Sequence, residues 1–177
     1  MVSKGHGTNC DCSECIQLEE EYLVDLSSSI NLKSVFCLNE SVSDAGRKVF
    51  KNAELINDRV DFVTSNEGDP ELLFYIPFTS QVNLKNMTMI GGENGTSPLH
   101  AKLYVNQDHP DFELSETPPS QEFECIENPT GELAYELKPN KFKSVNSLTL
   151  IITRCHDADY SKIYYISFTG VRTKVSL

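Results

Sequence analysis

The stretch FKSVNSLTLIITRCHDADYSKIYYISFTG, Phe142–Gly170, decides the fold of this chain. It contains two extended segments, Ser144–Thr153 and Lys162–Thr169, with a polar loop between them. Alternate positions of both segments are apolar, and the residues expected to share one face are Leu148, Leu150 and Ile152 in the first segment and Tyr164, Ile166 and Phe168 in the second. Alternation with period two, rich in β-branched and aromatic residues, is typical of half-buried strands.

The connection between these two segments predicts how they pair. Cys155–Ser161 has too few apolar residues to form a crossover helix, so the two strands should pair with each other in antiparallel orientation. Gly170 should end the second strand.

Further strands are predicted upstream. Alternating or apolar segments occur at Leu72–Phe78, Val82–Ile90, Leu99–Asn106, Phe123–Cys125 and Leu133–Leu137. The phase of Val82–Ile90 changes midway, which indicates a β-bulge near Asn86. Pro77 lacks a backbone donor and should lie at a strand end or edge.

Helices are few in this pattern. Cys15–Ser29 could form a short docking helix, and Asp44–Ile56 shows weak helix-like spacing. Short strands separated by turns predict an all-β fold with little helix, an antiparallel two-sheet β-sandwich of the jelly-roll type. We assign residues 1–28 to a flexible N-terminal tail with a short helix, and residues 29–177 to one sandwich domain.

The charge balance limits the classes of partner. The chain has 15 Lys plus Arg and 26 Asp plus Glu, so 15 − 26 gives a net charge of −11. Such a charge repels phosphate backbones and anionic lipids, and we expect neither nucleic acid nor membrane as the main partner. Two basic clusters remain, Arg47/Lys48/Lys51 and Lys138/Lys141/Lys143, which we interpret as solvated surface charge.

The chain start and its hydropathy predict the compartment. MVSKGHGTNCDC lacks the apolar region of a secretory signal, and no segment approaches the roughly 18 apolar residues of a spanning helix. We therefore expect a soluble monomer of the cytoplasm or nucleus.

Five ordered motifs resemble those of the PITH domain family. They are CLNES (Cys37–Ser41), ELLFYIPF (Glu71–Phe78), VNLK (Val82–Lys85), LYVN (Leu103–Asn106) and FKSVNSLTL (Phe142–Leu150). The resemblance implies a galactose-binding-like jelly roll without known catalysis that associates with the proteasome regulatory particle. For members that lack a thioredoxin domain, it also implies regulatory roles in proteasome activity or cell differentiation.

One group of residues near the start could bind a metal. His6, Cys10, Cys12 and Cys15 offer three thiolates and an imidazole, a donor set that suits zinc. Their spacing does not match paired zinc-ribbon cysteines, and a tail with free thiols is the alternative that we favour. Apart from tail zinc we expect no cofactor.

The other cysteines and histidines suggest no catalytic site. Cys37, Cys125 and Cys155 are interpreted as small core residues rather than nucleophiles. His100 is expected to be a solvated histidine on the outward face of its strand. No hydrolase or oxidoreductase motif is present, so we expect no enzymatic activity.

Two non-enzymatic functions remain, a protein-interaction module and a module that binds carbohydrate or another small ligand. The chain has no Trp and its loops carry few aromatic residues, which makes carbohydrate binding the weaker alternative. Polar or aromatic residues at predicted loops and strand ends are the candidate partner-binding residues: Asn94, His109, Asp111, Phe112, Arg154 and Asp157.

The tail metal hypothesis predicts a measurable mass. If the His6–Cys15 group holds zinc, native mass spectrometry will show one metal ion that a chelator removes. Equal masses with and without the chelator would dismiss the metal site.

Overall fold

This computed structural model describes residues 22–173, which form nine β-strands and five short 3₁₀ helices. The strands are β1 (Val24–Asp25), β2 (Phe36–Leu38), β3 (Val63–Thr64), β4 (Leu72–Gly91), β5 (Pro98–Val105), β6 (Gln121–Glu124), β7 (Tyr135–Glu136), β8 (Val145–Cys155) and β9 (Lys162–Arg172). The 3₁₀ helices are η1 (Ser27–Ser29), η2 (Leu32–Ser34), η3 (Gly46–Val49), η4 (Ala53–Leu55) and η5 (Phe112–Glu116). Within these residues no helix is long and apolar enough to cross a bilayer.

The 20-residue strand β4 belongs to both layers of the sandwich. Its first half pairs with β8, from Leu72 opposite Ile152 to Pro77 opposite Ser147. Its second half pairs with β9, from Val82 opposite Arg172 to Gly91 opposite Ile163. One layer is therefore β2-β4-β8-β5-β6, and the other contains β7, β4 and β9 with β1 and β3 along the far edge of β9. All of these strand pairs are antiparallel, which confirms the predicted fold class.

The predicted pairing of the two organising strands is wrong. β8 and β9 are both antiparallel to β4 rather than to each other, because the loop between them carries the chain from one layer to the other. The segments Leu72–Phe78 and Val82–Ile90, predicted as separate strands, form the one strand that joins the layers. Pro77, predicted at a strand end or edge, instead lies inside β4, at the point where the pairing with β8 becomes irregular.

The bulge predicted near Asn86 is confirmed. Leu84 faces Gly170 and Asn86 faces Thr169, so Lys85 is the extra residue on β4. The bulge reverses the alternation, and for this reason Val82, Leu84, Met87 and Met89 all reach the same core.

A second bulge, in β9, was not predicted. Ile90 faces Tyr165 and Gly91 faces Ile163, which leaves Tyr164 unpaired. Tyr164 therefore packs with Tyr165 on the outer side, whereas Ile166 and Phe168 face the main core. The expectation that Tyr164 shares a face with Ile166 and Phe168 is wrong.

Gly170 lies inside β9 rather than at its end, because the strand continues to Arg172. A Cβ at Gly170 would collide with the backbone carbonyl of Asn83 on β4, so the glycine permits close approach of the two strands.

The main core lies between the two layers, but the outer face of the β8 layer is covered as well. Leu148, Leu150 and Ile152 are fully buried in the main core, as predicted. Ile151 is also fully buried, in a second cluster with Leu73 and Tyr104, against which Phe36, Leu38, Phe112 and Leu114 pack. β8 is therefore buried on both faces, and the expectation of a half-buried strand is wrong for most of its length.

Neither predicted helix is α-helical in the described residues. Asp44–Ile56 contains the short helices η3 and η4, and Phe50 between them has a non-helical ψ of 75°. The described part of Cys15–Ser29 contains β1 and η1. Residues 24–28, assigned to the tail, join the sandwich through pairing of β1 with β9 and burial of Leu26.

An ion pair between buried Lys51 and half-buried Asp58 fixes the loop that follows η3. Lys51 is 7% exposed, and its Nζ lies 2.9 Å from Asp58 Oδ2 and donates a 2.8 Å hydrogen bond to the carbonyl of Asp61. The Asp58 carboxylate also accepts hydrogen bonds from the backbone of Val60 and Asp61. These contacts hold residues 53–62, which we call the 53–62 loop, against the sandwich.

Truncating the core should measure the contribution of β8. We expect Leu150→Ala to lower the free energy of unfolding by roughly 2–5 kcal/mol, because it removes a fully buried side chain between the layers. Urea unfolding provides the measurement. The control is Asn146→Ala, an exposed position on β8, which should change the free energy by less than about 0.5 kcal/mol. Equal effects of the two substitutions would contradict the proposed core.

The ion pair in the 53–62 loop predicts a pH dependence. The hydrogen bond from Lys51, followed by that from the Val60 backbone, lowers the pKa of Asp58 from its ordinary value of 3.8. The carboxylate therefore adds stability above its unfolded-state pKa, and this stability is lost as the pH falls through the folded-state pKa.

Asp58→Asn should accordingly lower Tm at neutral pH, and the difference from wild type should shrink toward about pH 3. Thermal unfolding across this pH range provides the measurement, with exposed Asp159→Asn as the control. A Tm difference that does not change with pH would show that the ion pair is not its source.

Candidate functional site

The six candidate partner-binding residues lie in two separate groups. Asn94 lies in the turn between β4 and β5, and Asp157 contacts the same turn through a 2.9 Å hydrogen bond from its N–H to the carbonyl of Gly95. Arg154 is exposed on β8 opposite His100 of β5. These three residues belong to the end of the sandwich where β4 and β8 finish and β5 begins.

The other three candidates follow β5 and belong to its opposite end. His109 is an exposed loop residue with a φ of 46°. Asp111 caps η5, because its Oδ1 accepts a 3.0 Å hydrogen bond from the N–H of Glu113. Phe112 is half-buried on the outer face of the β8 layer. The six residues do not form one surface, and Asp111 and Phe112 have structural roles. The metal candidates His6, Cys10, Cys12 and Cys15 lie outside the described residues.

A cleft of about 210 Å³ lies beside Asn94. Its walls come from the end of β4, the turn after it, the 53–62 loop, the segment before β7 and the start of β9. The lining residues are Arg59, Ile90, Gly91, Gly92, Glu93, Asn94, Ser97, Glu127, Asn128, Pro129 and Tyr164.

Tyr164 brings polar and charged groups together in this cleft. Its hydroxyl donates to the Glu93 carboxylate, 2.9 Å from Oε2 and 3.0 Å from Oε1. The backbone N–H of Glu93 and then this hydroxyl lower the pKa of Glu93, so the exposed carboxylate is ionised at neutral pH. The position of the hydroxyl depends on the bulge that turns Tyr164 outward.

Two cations lie over the ring of Tyr164. The guanidinium carbon of Arg59 is 5.0 Å from the ring centroid and the Nζ of Lys162 is 4.9 Å from it. Arg59 also donates to the carbonyls of Ile56, Asp58 and Pro129, which ties the 53–62 loop to the wall of the cleft. Arg59 thus positions the loop.

The 53–62 loop presents apolar side chains to solvent. Leu55 is 50% exposed, Val60 is 82% exposed and Phe62 is 40% exposed. The rings of Phe62 and Tyr164 make an edge-to-face contact with a centroid distance of 6.1 Å, and the Nζ of Lys162 lies 4.3 Å from the Phe62 centroid. Since hydrogen bonds from Lys51 and Arg59 fix the backbone of the loop, these exposed apolar side chains are held in place beside a charged cleft.

Sequence reasoning missed this surface. The weak helical spacing of Asp44–Ile56 predicted a helix with Val49, Phe50, Ala53 and Ile56 on one face, and it gave no sign of an exposed loop after Ile56. Arg59-Val60-Asp61-Phe62 alternates charged and apolar residues, and this alternation was the available signal.

The three cysteines of the described residues have structural positions. Burial, and then the charge of Glu40, raises the pKa of the Cys37 thiol, and burial raises the pKa of Cys125 to about 11. Cys155 donates through Sγ to the carbonyl of Ala158 rather than to His156. These thiols pack in or against the interior, as the sequence predicts.

His100 is not a solvated histidine. Its Nδ1 lies 2.7 Å from Thr153 Oγ1, and its Nε2 lies 3.0 Å from Glu122 Oε2. The side chain is 20% exposed, because β6 packs beside β5 and supplies the glutamate. Among residues 22–173 no group of three or more His, Cys, Asp and Glu residues is arranged to hold a metal ion.

Solved structures confirm the jelly-roll fold. The family 32 CBM of Clostridium perfringens NanJ in complex with galactose matches with a TM-score of 0.55 and 6% identity, covering 84% of this chain and 100% of that one. An F5/8 type C domain from Bacteroides fragilis matches with a TM-score of 0.56 and 15% identity, covering 86% and 98%. At these identities the likeness concerns the fold alone.

Sequence comparisons give the family. PITH domain-containing protein 1 of Mus musculus is 40% identical over 180 residues, which cover 98% of this chain and 85% of the mouse protein. A PITH domain-containing protein of Caenorhabditis elegans is 36% identical over 172 residues, covering 96% and 82%. The family model of the PITH domain matches residues 17–176. This chain belongs to the PITH domain family.

Proposed function

We propose that this chain is a non-catalytic protein-interaction module that associates with the proteasome regulatory particle in the cytoplasm or nucleus. It acts there as a monomeric adaptor with a regulatory role. Family membership supports the class of function, and the resemblance described above supplies the expected partner.

The preorganised 53–62 loop is the observation that carries the proposal. Leu55, Val60 and Phe62 project into solvent from a backbone fixed by Lys51 and Arg59. Exposed apolar side chains on a rigid segment favour protein binding, because apolar area is buried without a large cost in loop ordering. The charged cleft beside the loop adds polar groups at the edge of this surface, as is common around an apolar interface center.

Carbohydrate or small-ligand binding is the second candidate function. The fold likeness to a CBM with bound galactose and the polar cleft favour it. The Tyr164 ring is a poor sugar platform, however, because Arg59 and Lys162 already lie over it. Retention of the protein on a glycan array, lost in Glu93→Gln, would support this alternative over protein binding.

Affinity purification from cytosol tests the proposed partner. We expect the wild-type chain to recover regulatory-particle subunits, and Leu55→Ser/Val60→Ser to recover them at least about tenfold less well, because the apolar contact is lost. The matched control is Leu23→Ser/Val42→Ser, since these side chains are 56% and 65% exposed but lie outside the 53–62 loop.

Two results would count against the proposal in different ways. Failure of the wild-type chain to recover any regulatory-particle subunit would contradict the function itself. Equal recovery by the loop variant and the control variant would contradict only the assignment of the surface.

A further inference from the structure

The two basic clusters of this acidic chain have different surroundings. In the first cluster, Arg47 Nη2 lies 3.2 Å from Asp44 Oδ1, and buried Lys51 is paired with Asp58. The charges of Arg47 and Lys51 are therefore compensated within the domain, whereas exposed Lys48 forms no ion pair among residues 22–173. The second cluster is Lys138, Lys141 and Lys143, which we call the lysine turn.

The charges of the lysine turn have no such ion-pair partner within residues 22–173. All three lysines are exposed, and none forms an ion pair with another residue of the described range 22–173. The sequence contains no Asp or Glu from Leu137 to His156. Exposed Glu136, the acidic residue just before this interval, is not paired with the lysines either. Three positive charges within six residues, without an ion pair in the part of the chain that the structure describes, concentrate positive charge locally on a chain of net charge −11.

The backbone of the lysine turn is fixed. Phe142, between Lys141 and Lys143, is fully buried in the main core, and its carbonyl accepts a 2.9 Å hydrogen bond from the N–H of Leu84. The N–H of Lys141 donates to the carbonyl of Lys138 over 3.0 Å. The N–H of Ser144 donates to Asn83 Oδ1 over 2.9 Å. The lysine positions are thus held in place, and only their side chains must be ordered when a partner binds.

We propose that the lysine turn is a docking surface for an acidic segment of a partner protein. A short run of Asp or Glu side chains meets only the local positive charge, because charges farther than about 10 Å are largely screened at ordinary salt. A nucleic acid or an anionic bilayer is an extended polyanion and would also face the acidic remainder of the domain. The chemistry therefore favours a peptide.

This surface is separate from the 53–62 loop. Leu84, which bonds to the lysine turn, and Gly91, which lines the cleft, are seven positions apart on the second half of β4. This spacing corresponds to roughly 23 Å along a strand. The inference goes beyond the proposed function, and its test does not depend on the identity of the proteasome-linked partner.

Titration with labelled tetraglutamate peptide tests the inference, with tetraglutamine as the uncharged control. Fluorescence anisotropy at ordinary salt, about 0.1 M, should show saturable binding of tetraglutamate alone. We expect Lys138→Gln/Lys141→Gln/Lys143→Gln to weaken this binding about tenfold, since each lost exposed ion pair contributes a small factor. The amides of residues 138–143 should show the largest chemical-shift changes.

A charge-matched variant isolates the site from net charge. Lys33→Gln/Arg47→Gln/Lys48→Gln removes three positive charges outside the lysine turn and should leave binding within about twofold of wild type. Equal weakening by the two triple variants would overturn the proposal. So would the absence of tetraglutamate binding, or tighter binding of a short oligonucleotide or of phosphatidylserine vesicles to the lysine turn.

Discussion

The structure depends on the pairing of one strand with two others. β4 is hydrogen-bonded to β8 over its first half and to β9 over its second half. A strand that belongs to both layers fixes their separation and relative position. Its register also sets which side chains enter the main core. Since Leu72, Phe74 and Ile76 project inward from one half, and Met87 and Met89 from the other, the same backbone supplies apolar residues to both sides of the core.

The two bulges along this strand pairing relate the fold to the candidate site. The extra residue Lys85 on β4 keeps apolar residues facing inward on both sides of the bulge. The extra residue Tyr164 on β9 does the reverse, because it brings a tyrosine out of the core. Its hydroxyl then reaches Glu93 and its ring meets Arg59 and Lys162. A single irregularity in pairing thus creates the polar cleft beside the 53–62 loop.

Sequence alone predicted the strand content, the jelly-roll class, the core face of β8 and the bulge near Asn86, because alternation of apolar residues is a local signal. Strand pairing is not local, and for this reason the antiparallel pairing of β8 with β9 was wrong. The bulge at Tyr164 has no sequence signal, because Ile163-Tyr164-Tyr165-Ile166 is apolar at every position and its apolar alternation shows no change of phase. The separation of Asn94 and Asp157 from His109, Asp111 and Phe112 likewise depends on which end of β5 each loop follows. The difference between the two basic clusters could not be predicted either, because sequence spacing does not reveal the ion pairs of Arg47 and Lys51.

Native-state hydrogen exchange followed by NMR tests the joining of the two layers most directly. If β4 unites the two layers, all hydrogen-bonded amides of β4, β8 and β9 should exchange with one common opening free energy. That value should be near the free energy of global unfolding. Two distinct opening free energies, with one half of β4 exchanging while the other stays protected, would contradict the account.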